Sequence, residues 1–146
     1  MNVLFFLTPK NKISYISDKA TVRQAIEKME HHGYTAMPIL DENGKYVGTV
    51  TDGDIMWAIK DKYDMSLKNA ENIPIVSITR KTIFNSSVTM NTQIEDLIQE
   101  VMRQNFVPVT TDEGILMGIV TRKTVLDYFY KKYNDLKTKL DSQSNK

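Results

Sequence analysis

The sequence contains no cysteine. Disulfides, thiol nucleophiles and cysteine-ligated zinc or iron–sulfur centres are therefore excluded. Neither sign of charge is in excess: 19 Lys and Arg stand against 18 Asp and Glu, a formal net charge of +1. Bulk electrostatic attraction to nucleic acid is not expected, which leaves only a local basic patch to consider. Long apolar runs are missing too. Val3 to Leu7 is far too short to cross a bilayer and lacks the basic start and small-residue cleavage site of a secretory signal. A cytoplasmic location with no membrane partner is expected, and the Asn85-Ser86-Ser87 sequon then carries no glycosylation meaning. There is no Gly-x-x-x-x-Gly-Lys-Ser/Thr loop, no His-Glu-x-x-His and no Gly-x-Ser-x-Gly. The two histidines, His31 and His32, are adjacent on a helix and diverge, so they read as a solvated helix end and not as a metal pair.

What is present is a balanced globular composition, 41% hydrophobic and 25% charged over 146 residues. That length suits one ordinary domain or two very small ones. The eight methionines suit a pliable core. The polar, Lys-rich stretch from Lys131 ends in Asp141-Ser-Gln-Ser-Asn-Lys146, whose last residues are expected to fray.

The chain repeats itself. Gly48-Thr-Val-Thr51 recurs as Gly118-Ile-Val-Thr121, and Pro38 and Gly44 recur as Pro108 and Gly114 at the same shift of 70. Upstream, Val22, Ala25, Ile26 and Met29 align with Ile94, Leu97, Ile98 and Val101 at a shift of 72. The second copy is thus two residues shorter just after its first helix. Each copy is about half the chain and too small to bury a good core alone, so the two should pack together.

Both copies share one local pattern. Val22, Ala25, Ile26 and Met29 fall at i, i+3, i+4 and i+7, one face of a helix. Strands follow over Tyr34–Leu40 and Tyr46–Val50, with Asn43-Gly44 as the hairpin signal between them. A helix starting near Asp52 is predicted to bury Ile55, Ala58 and Ile59. The second copy gives a helix over Ile94–Met102, strands over Phe106–Val109 and Ile115–Val120, and a last helix with Val125, Phe129, Tyr133 and Leu136 on one face. Pro38 and Pro108 inside strands demand an edge or a bulge. The unit is strand–helix–strand–strand–helix, twice, joined by Tyr63 to Pro74. Along the last helix, Tyr128, Phe129, Tyr130 and Tyr133 cannot all face one core, so some either form a dimer surface or stay exposed on an amphipathic helix.

The string Gly48-Thr-Val-Thr51-Asp-Gly-Asp54-Ile55 entering a helix, repeated as Gly118-Ile-Val-Thr121-Arg-Lys-Thr124-Val125, resembles the CBS domain. The whole chain is similar to a CBS pair, or Bateman module, of α+β class. The resemblance places one domain over 7–64, a second over 65–134 and a polar tail over 135–146. It implies a regulatory protein that is not an enzyme, has no cofactor or metal, binds an adenine nucleotide between its copies, and forms a homodimer. No further domain is recognisable, so output is expected to pass through a separate, unidentified regulated protein.

Residue chemistry supports a phosphate site at each strand-to-helix junction. A helix N-terminus offers unpaired amides and a positive dipole end. Thr51 and Thr121 add hydroxyls, and Arg122 and Lys123 add two cations at the second junction. The plainer alternative is that both threonines are helix caps and both cations are solvated. By the resemblance, one cleft combines Lys12, Ile13, Ser14, Tyr34, Thr35, Ala36 and Pro38 with Thr121, Arg122, Lys123 and Thr124. The other combines Phe84, Asn85, Asn105, Phe106 and Val107 with Thr51, Asp52 and Asp54.

The family's ribose clamp is an aspartate. Asp54 holds that position in one copy and Thr124 replaces it in the other. Asp52 beside Asp54 opposes a phosphate unless cations compensate. Phe106, where the first copy has Ala36, either fills core space or stacks on a base. The Tyr34-Thr-Ala36 string with Phe106-Val107 and Thr121-Arg-Lys123 is also similar to small CBS-pair receptors for cyclic di-AMP from Gram-positive bacteria. That ligand has no free ribose diol, so it needs no carboxylate clamp. Cyclic di-AMP leads, and AMP, ADP or ATP follow. Two readings from other classes stay open: a Mg²⁺-dependent nucleotide hydrolase using Asp52 and Asp54, and a scaffold whose clefts stay empty.

Overall fold

In the computed structural model, residues 1–61, 66, 68–79 and 86–145 are described. Phe84, Asn85 and part of the predicted joining stretch Tyr63–Pro74 lie outside the described residues. The strands are β1 (Thr8–Pro9), β2 (Ile16–Ser17), β3 (Ala36–Leu40), β4 (Tyr46–Thr51), β5 (Val88–Thr89), β6 (Phe106–Thr110) and β7 (Leu116–Thr121). The helices are α1 (Val22–His32), α2 (Asp52–Asp61), α3 (Ile94–Arg103) and α4 (Arg122–Ser144). The strand–helix–strand–strand–helix unit therefore occurs twice, as β2-α1-β3-β4-α2 and β5-α3-β6-β7-α4.

Local chemistry sets the element ends. Thr21 and Gln24 form a reciprocal capping box at the start of α1, and Gly33 ends it in the left-handed region at φ 69°. Gly44 and Gly114 turn the two hairpins at φ 81° and 91°. The hairpins match residue for residue: Ala36 pairs with Thr51, and Phe106 with Thr121. Each carries a register shift at its outer end, between Ile39 and Leu40 and between Val109 and Thr110. Pro38 and Pro108 lie just before the short parallel strands that reach only Ile39–Leu40 and Val109–Thr110. Each proline thus has a ladder partner on one side, which its missing N–H tolerates.

Two apolar cores result. The first gathers Ile16, Val22, Ala25, Met29, Met37, Ile39, Val50, Ala58 and Ile75. The second gathers Leu97, Val101, Val107, Val109, Val120 and Val125, together with Val3 and Phe6. The copies meet through their hairpins: the Tyr46 amide donates to Gly114 O and the Leu116 amide to Gly44 O, both at 3.0 Å.

Four features depart from the sequence reading. The N-terminal apolar run, a 3-10 turn over Val3–Phe6, crosses to the second copy and buries Val3 and Phe6 in its core. Burying a side chain of that size contributes about 1.5–3 kcal/mol, which anchors the segment. The following β1 pairs antiparallel with β7, completing a four-stranded sheet β1-β7-β6-β5 beside the three-stranded β2-β3-β4. Ile59, predicted buried, is 44% exposed, because only Ala58 and half-buried Ile55 of α2 reach the first core. The polar C-terminal stretch does not fray early: α4 continues through Ser144. No glycine or proline interrupts residues 122–144, and Lys137 and Asp141 stand at the supportive i, i+4 spacing. On α4 only Val125 is buried, and Phe129, Tyr133 and Leu136 are exposed.

Candidate functional site

The ends of β3 and β6, the loop before β2 and the strand pair β1–β7 surround a cavity of about 380 Å³. From the first half of the chain it is lined by Thr8, Lys12, Ile13, Ser14, Gly33, Tyr34, Thr35, Ala36 and Pro38. Asn105, Phe106, Ile119 and Thr121 close it from the second. Its lining mixes aromatic and aliphatic faces with hydroxyls, one amide and one lysine, and includes no carboxylate. That is the make-up of a small-molecule site, apolar with a few polar groups that fix orientation, and its volume lies in the range of roughly 300–1,000 Å³.

The wall formed by Tyr34 is braced from behind. Its ring stacks on His32, with centroids 5.2 Å apart and planes 16° from parallel. His32 Nε2 also shares a 3.0 Å hydrogen bond with the Ser14 hydroxyl. His32 therefore ties two cavity-lining residues together, and it is more than the solvated helix end the sequence suggests. Phe106, considered as core filling, is half-buried and faces the cavity. Val107 is the core residue of that pair, with no exposed surface.

The two strand-to-helix junctions are built alike but end differently. At the first, the Asp52 amide donates to Thr35 O, and the Gly53 amide to Asp52 Oδ1. Thr51 Oγ1 accepts from the Asp54 amide at 3.0 Å, and Asp54 Oδ2 accepts from the Thr51 amide at 2.9 Å. The amides of Asp52, Gly53 and Asp54 are thus all satisfied within the chain, and Asp54 is buried. The phosphate cradle expected here is filled by the chain's own groups, the Thr35 carbonyl, the Asp52 carboxylate and the Thr51 hydroxyl. At the second junction, the Arg122 amide donates to Asn105 O and the Thr124 amide to Thr121 Oγ1. Thr121 and Thr124 share a hydroxyl hydrogen bond of 2.7 Å. Thr51 and Thr121 are therefore helix caps, and Thr121 also borders the cavity.

The cations expected to reach the ligand are turned elsewhere. Arg122 Nε donates to Val101 O at 2.7 Å, toward the C-terminal turn of α3, where a cation complements the helix dipole. Lys123 Nζ bonds Asp127 Oδ2 at 2.8 Å on the exposed surface of α4. That hydrogen bond and the charge attraction hold the Lys123 ammonium above its ordinary pKa. The same bond holds the Asp127 carboxyl below its own. Neither Arg122, Lys123 nor Thr124 lines the cavity, while Lys12 does.

The family of the repeat follows from comparison with known proteins. The sequence model of the CBS domain matches residues 8–61 and again 71–131. The chain belongs to the CBS domain family. Among curated relatives, the chloroplastic CBS domain-containing protein CBSX2 of Arabidopsis thaliana is 26% identical over 145 residues, covering 83% of this chain and 60% of the relative. The first three curated relatives are matched over only 46–61% of their own lengths. Cyclic di-AMP receptor B of Bacillus subtilis is 24% identical over 131 residues, covering 90% of this chain and 88% of the receptor. Among solved structures, CbpB in complex with c-di-AMP superposes with a TM-score of 0.81 at 20% identity, covering 95% of this chain and 91% of that one. A structure of CBSX2 in complex with AMP gives 0.73 at 22% identity, over 90% and 98%. These likenesses show the CBS-pair fold.

With the CBS repeats assigned, the uneven fate of the predicted sites becomes clear. Lys12, Ile13, Ser14, Tyr34, Thr35, Ala36, Pro38 and Thr121 converge on one cavity. Asn105 and Phe106, expected opposite Thr51 in the other cleft, line this same cavity. The reason is the register: Phe106 pairs with Thr121, and Asn105 O holds the Arg122 amide. Asp52 borders a separate, shallower depression with Ile26, Met29, Glu30, Gly33, Tyr34 and Ile55. Sequence reasoning missed Thr8, Gly33 and Ile119. Ile119 lies inside the repeated Gly-x-x-Thr string, but Thr8 enters only because β1 crosses to β7, which no local pattern announces. Among the described residues no group of His, Asp and Glu could hold a metal ion, and no helix is long and apolar enough to cross a membrane.

Proposed function

We propose that this CBS pair is a regulatory receptor for an adenine nucleotide, with cyclic di-AMP as its ligand and a separate protein as its target. The observation that carries the reading is the composition of the 380 Å³ cavity: aromatic rings from both repeats, hydroxyls and Lys12, with no carboxylate in the wall. An anionic ligand meets no opposing charge there. Tyr34 and Phe106 offer faces for a purine, worth about 1–3 kcal/mol per stacked base. Thr121, Ser14 and Asn105 offer donors and acceptors to sugar and phosphate, and Lys12 supplies positive potential.

The choice of cyclic di-AMP rests on the missing clamp. The second copy has Thr124 where a carboxylate would grip a ribose diol, and the Asp54 carboxylate is held by its own Thr51 amide. A ligand with its 3′ oxygens esterified needs no such clamp. The relatives named as a cyclic di-AMP receptor and as CbpB in complex with c-di-AMP favour the same choice. The CBSX2 complex with AMP favours an AMP, ADP or ATP sensor as the second reading. In either case the chain performs no chemistry, acts in the cytoplasm as a homodimer, and works by shifting between two shapes that a target protein distinguishes.

The test is calorimetric titration of nucleotide-free protein with cyclic di-AMP, AMP, ADP and ATP in parallel. Selective cyclic di-AMP binding that Tyr34→Ala and Phe106→Ala each weaken supports the proposal. Preference for AMP or ATP replaces it with the energy-sensor reading. No heat with any of the four leaves a protein-interaction scaffold. Turnover of ATP or cyclic di-AMP would make the chain an enzyme and overturn all three.

A further inference from the structure

Among the described residues every lysine is exposed except Lys10 and Lys28, which are half-buried. Both ammonium groups stand over the ring of one residue, Tyr15, at 5.1 Å and 5.7 Å from its centroid. They come from different elements: Lys10 opens the 3-10 turn Lys10–Lys12, and Lys28 lies on α1. Lys28 Nζ also donates to the Tyr15 carbonyl.

This arrangement inverts what solvation favours. The ion pairs of the described residues go to other cations, Lys19, Arg23, Arg103 and Lys123, and all four are exposed. A charge withdrawn from water needs a counter-charge more than one left in it, yet neither Lys10 nor Lys28 has a carboxylate. Two like charges gathered on one ring also repel. The ring face attracts each cation but does not neutralise it.

The donors left over say which anion fits. An ammonium has three. Lys28 spends one on Tyr15 O, while the Lys10 ammonium and the Tyr15 hydroxyl have no hydrogen-bond partner among the described residues. Donors from three neighbouring side chains suit a tetrahedral oxyanion with several acceptor oxygens. The cluster adjoins the nucleotide cavity without belonging to it. Lys12 and Ser14 line the cavity, and Lys10, Tyr15 and Lys28 do not. Lys28 and His32, one turn apart, share the flank of α1 that faces Tyr15 and Ser14. Ile26 and Glu30 lie on the other flank, beside Ile55 of α2.

We propose that Lys10, Lys28 and Tyr15 form a binding site for a phosphate group beside the nucleotide cavity. The phosphate belongs either to a nucleotide that reaches out of the cavity past Ser14 or to a separate phosphate compound. The site rests on these three side chains and not on the nucleotide reading, so the two fail independently.

The test is NMR of the full chain carrying isotope-labelled tyrosine, with the Tyr15 ring signal assigned by Tyr15→Phe. Inorganic pyrophosphate is titrated into nucleotide-free protein at constant ionic strength. A saturable shift of the Tyr15 ring is expected. Lys10→Gln and Lys28→Gln should each weaken it by at least about tenfold, and Lys28→Arg should keep it. Lys28→Gln retains a donor for Tyr15 O, and an unchanged melting temperature separates lost binding from lost structure. Lys19→Gln, at an exposed ion pair, should change nothing. Repeating the titration with cyclic di-AMP present identifies the source. If cyclic di-AMP itself shifts Tyr15 through Lys10 and Lys28 and blocks pyrophosphate, the phosphate is the nucleotide's own. Undiminished pyrophosphate binding assigns the site to a separate compound. Three results overturn the proposal: no saturable Tyr15 shift with either probe, the same shift with acetate, and a shift that both Gln variants retain.

Discussion

Gly118 stands directly against the backbone of Thr8: a Cβ on it would lie 2.2 Å from the Thr8 carbonyl oxygen and 3.0 Å from Pro9 Cα. The two residues belong to paired strands, β7 and β1, and this close approach brings the N-terminal segment of the chain onto the second repeat. The equivalent Gly48 meets only a Thr79 methyl at 3.5 Å, an ordinary contact. The same motif glycine is thus indispensable in one repeat and replaceable in the other.

Gly118→Ala is therefore expected to cost about 1–3 kcal/mol, the range for forcing atoms into a packed site, and Gly48→Ala much less. Thermal melting of the two variants checks the difference. Since Thr8 and Ile119 both line the cavity, Gly118→Ala should also weaken ligand binding, while Gly48→Ala leaves it unchanged. Equal melting temperatures for the two variants would show that β1 is not held against β7 as described.

The contrast between these glycines also marks what the sequence discloses and what it hides. Its repeated string locates both strand-to-helix junctions, and the helical spacing of Val22, Ala25 and Met29 correctly assigns the buried face of α1. Those are local signals, carried by spacing within one element. The crossing of Val3–Phe6 to the other repeat is not local: its strand is two residues long, and apolarity alone does not say which core accepts it. Ile59 fails for the same reason, since helical periodicity ranks faces without fixing how wide the buried one is. At the cavity, ten of the residues named from sequence converge, and seven of them, Tyr34, Thr35, Ala36, Pro38, Asn105, Phe106 and Thr121, sit in or just before the repeated hairpins. Arg122 and Lys123 do not converge there, because a long cation chooses among competing acceptors, and Val101 O and Asp127 are closer at hand.

Asp54 separates the two nucleotide readings. Its carboxylate accepts from the Thr51 amide while its own amide donates to Thr51 Oγ1, a reciprocal cap inside a buried corner. Asp54→Ala is expected to destabilise the protein by about 1–2 kcal/mol, as loss of a helix cap does. Cyclic di-AMP affinity should be unaffected, since Asp54 is absent from the cavity wall. Loss of AMP or ATP binding in this variant, measured by calorimetry, would instead assign Asp54 the role of a ribose clamp.

His32 is expected to act on affinity without acting on stability. It stacks on Tyr34 and bonds Ser14, yet it is exposed, so His32→Ala should shift the folding free energy by no more than about 0.5 kcal/mol. Removing the brace frees the Tyr34 ring to rotate away from the cavity. An aromatic pair is worth about 0.5–1.5 kcal/mol, so ligand affinity should fall by about two- to tenfold. His32→Phe keeps the stack and loses the Ser14 bond, and should recover most of that loss. Calorimetry on the two variants decides; identical losses would assign the effect to Ser14 rather than to the ring.

Tyr46 predicts an alkaline weakness of the first repeat. Burial pushes its phenol up to about 12, only partly offset by the 2.6 Å hydrogen bond with Thr49 Oγ1. An unfolded tyrosine ionises near pH 10, so above that pH the unfolded chain gives up its proton while the folded chain still holds it. Stability from this group is therefore complete below pH 10 and is lost as pH rises toward about 12. A difference of that size corresponds to about 2–3 kcal/mol. Other tyrosines and the lysines titrate in the same window, so the measurement is the difference between wild type and Tyr46→Phe in urea unfolding on either side of pH 10. The wild type should lose more stability than the variant, because a phenylalanine ring has no proton to give up. Parallel curves for the two proteins would mean that the phenol is open to water and that the hairpin carrying it does not pack against the second repeat as described.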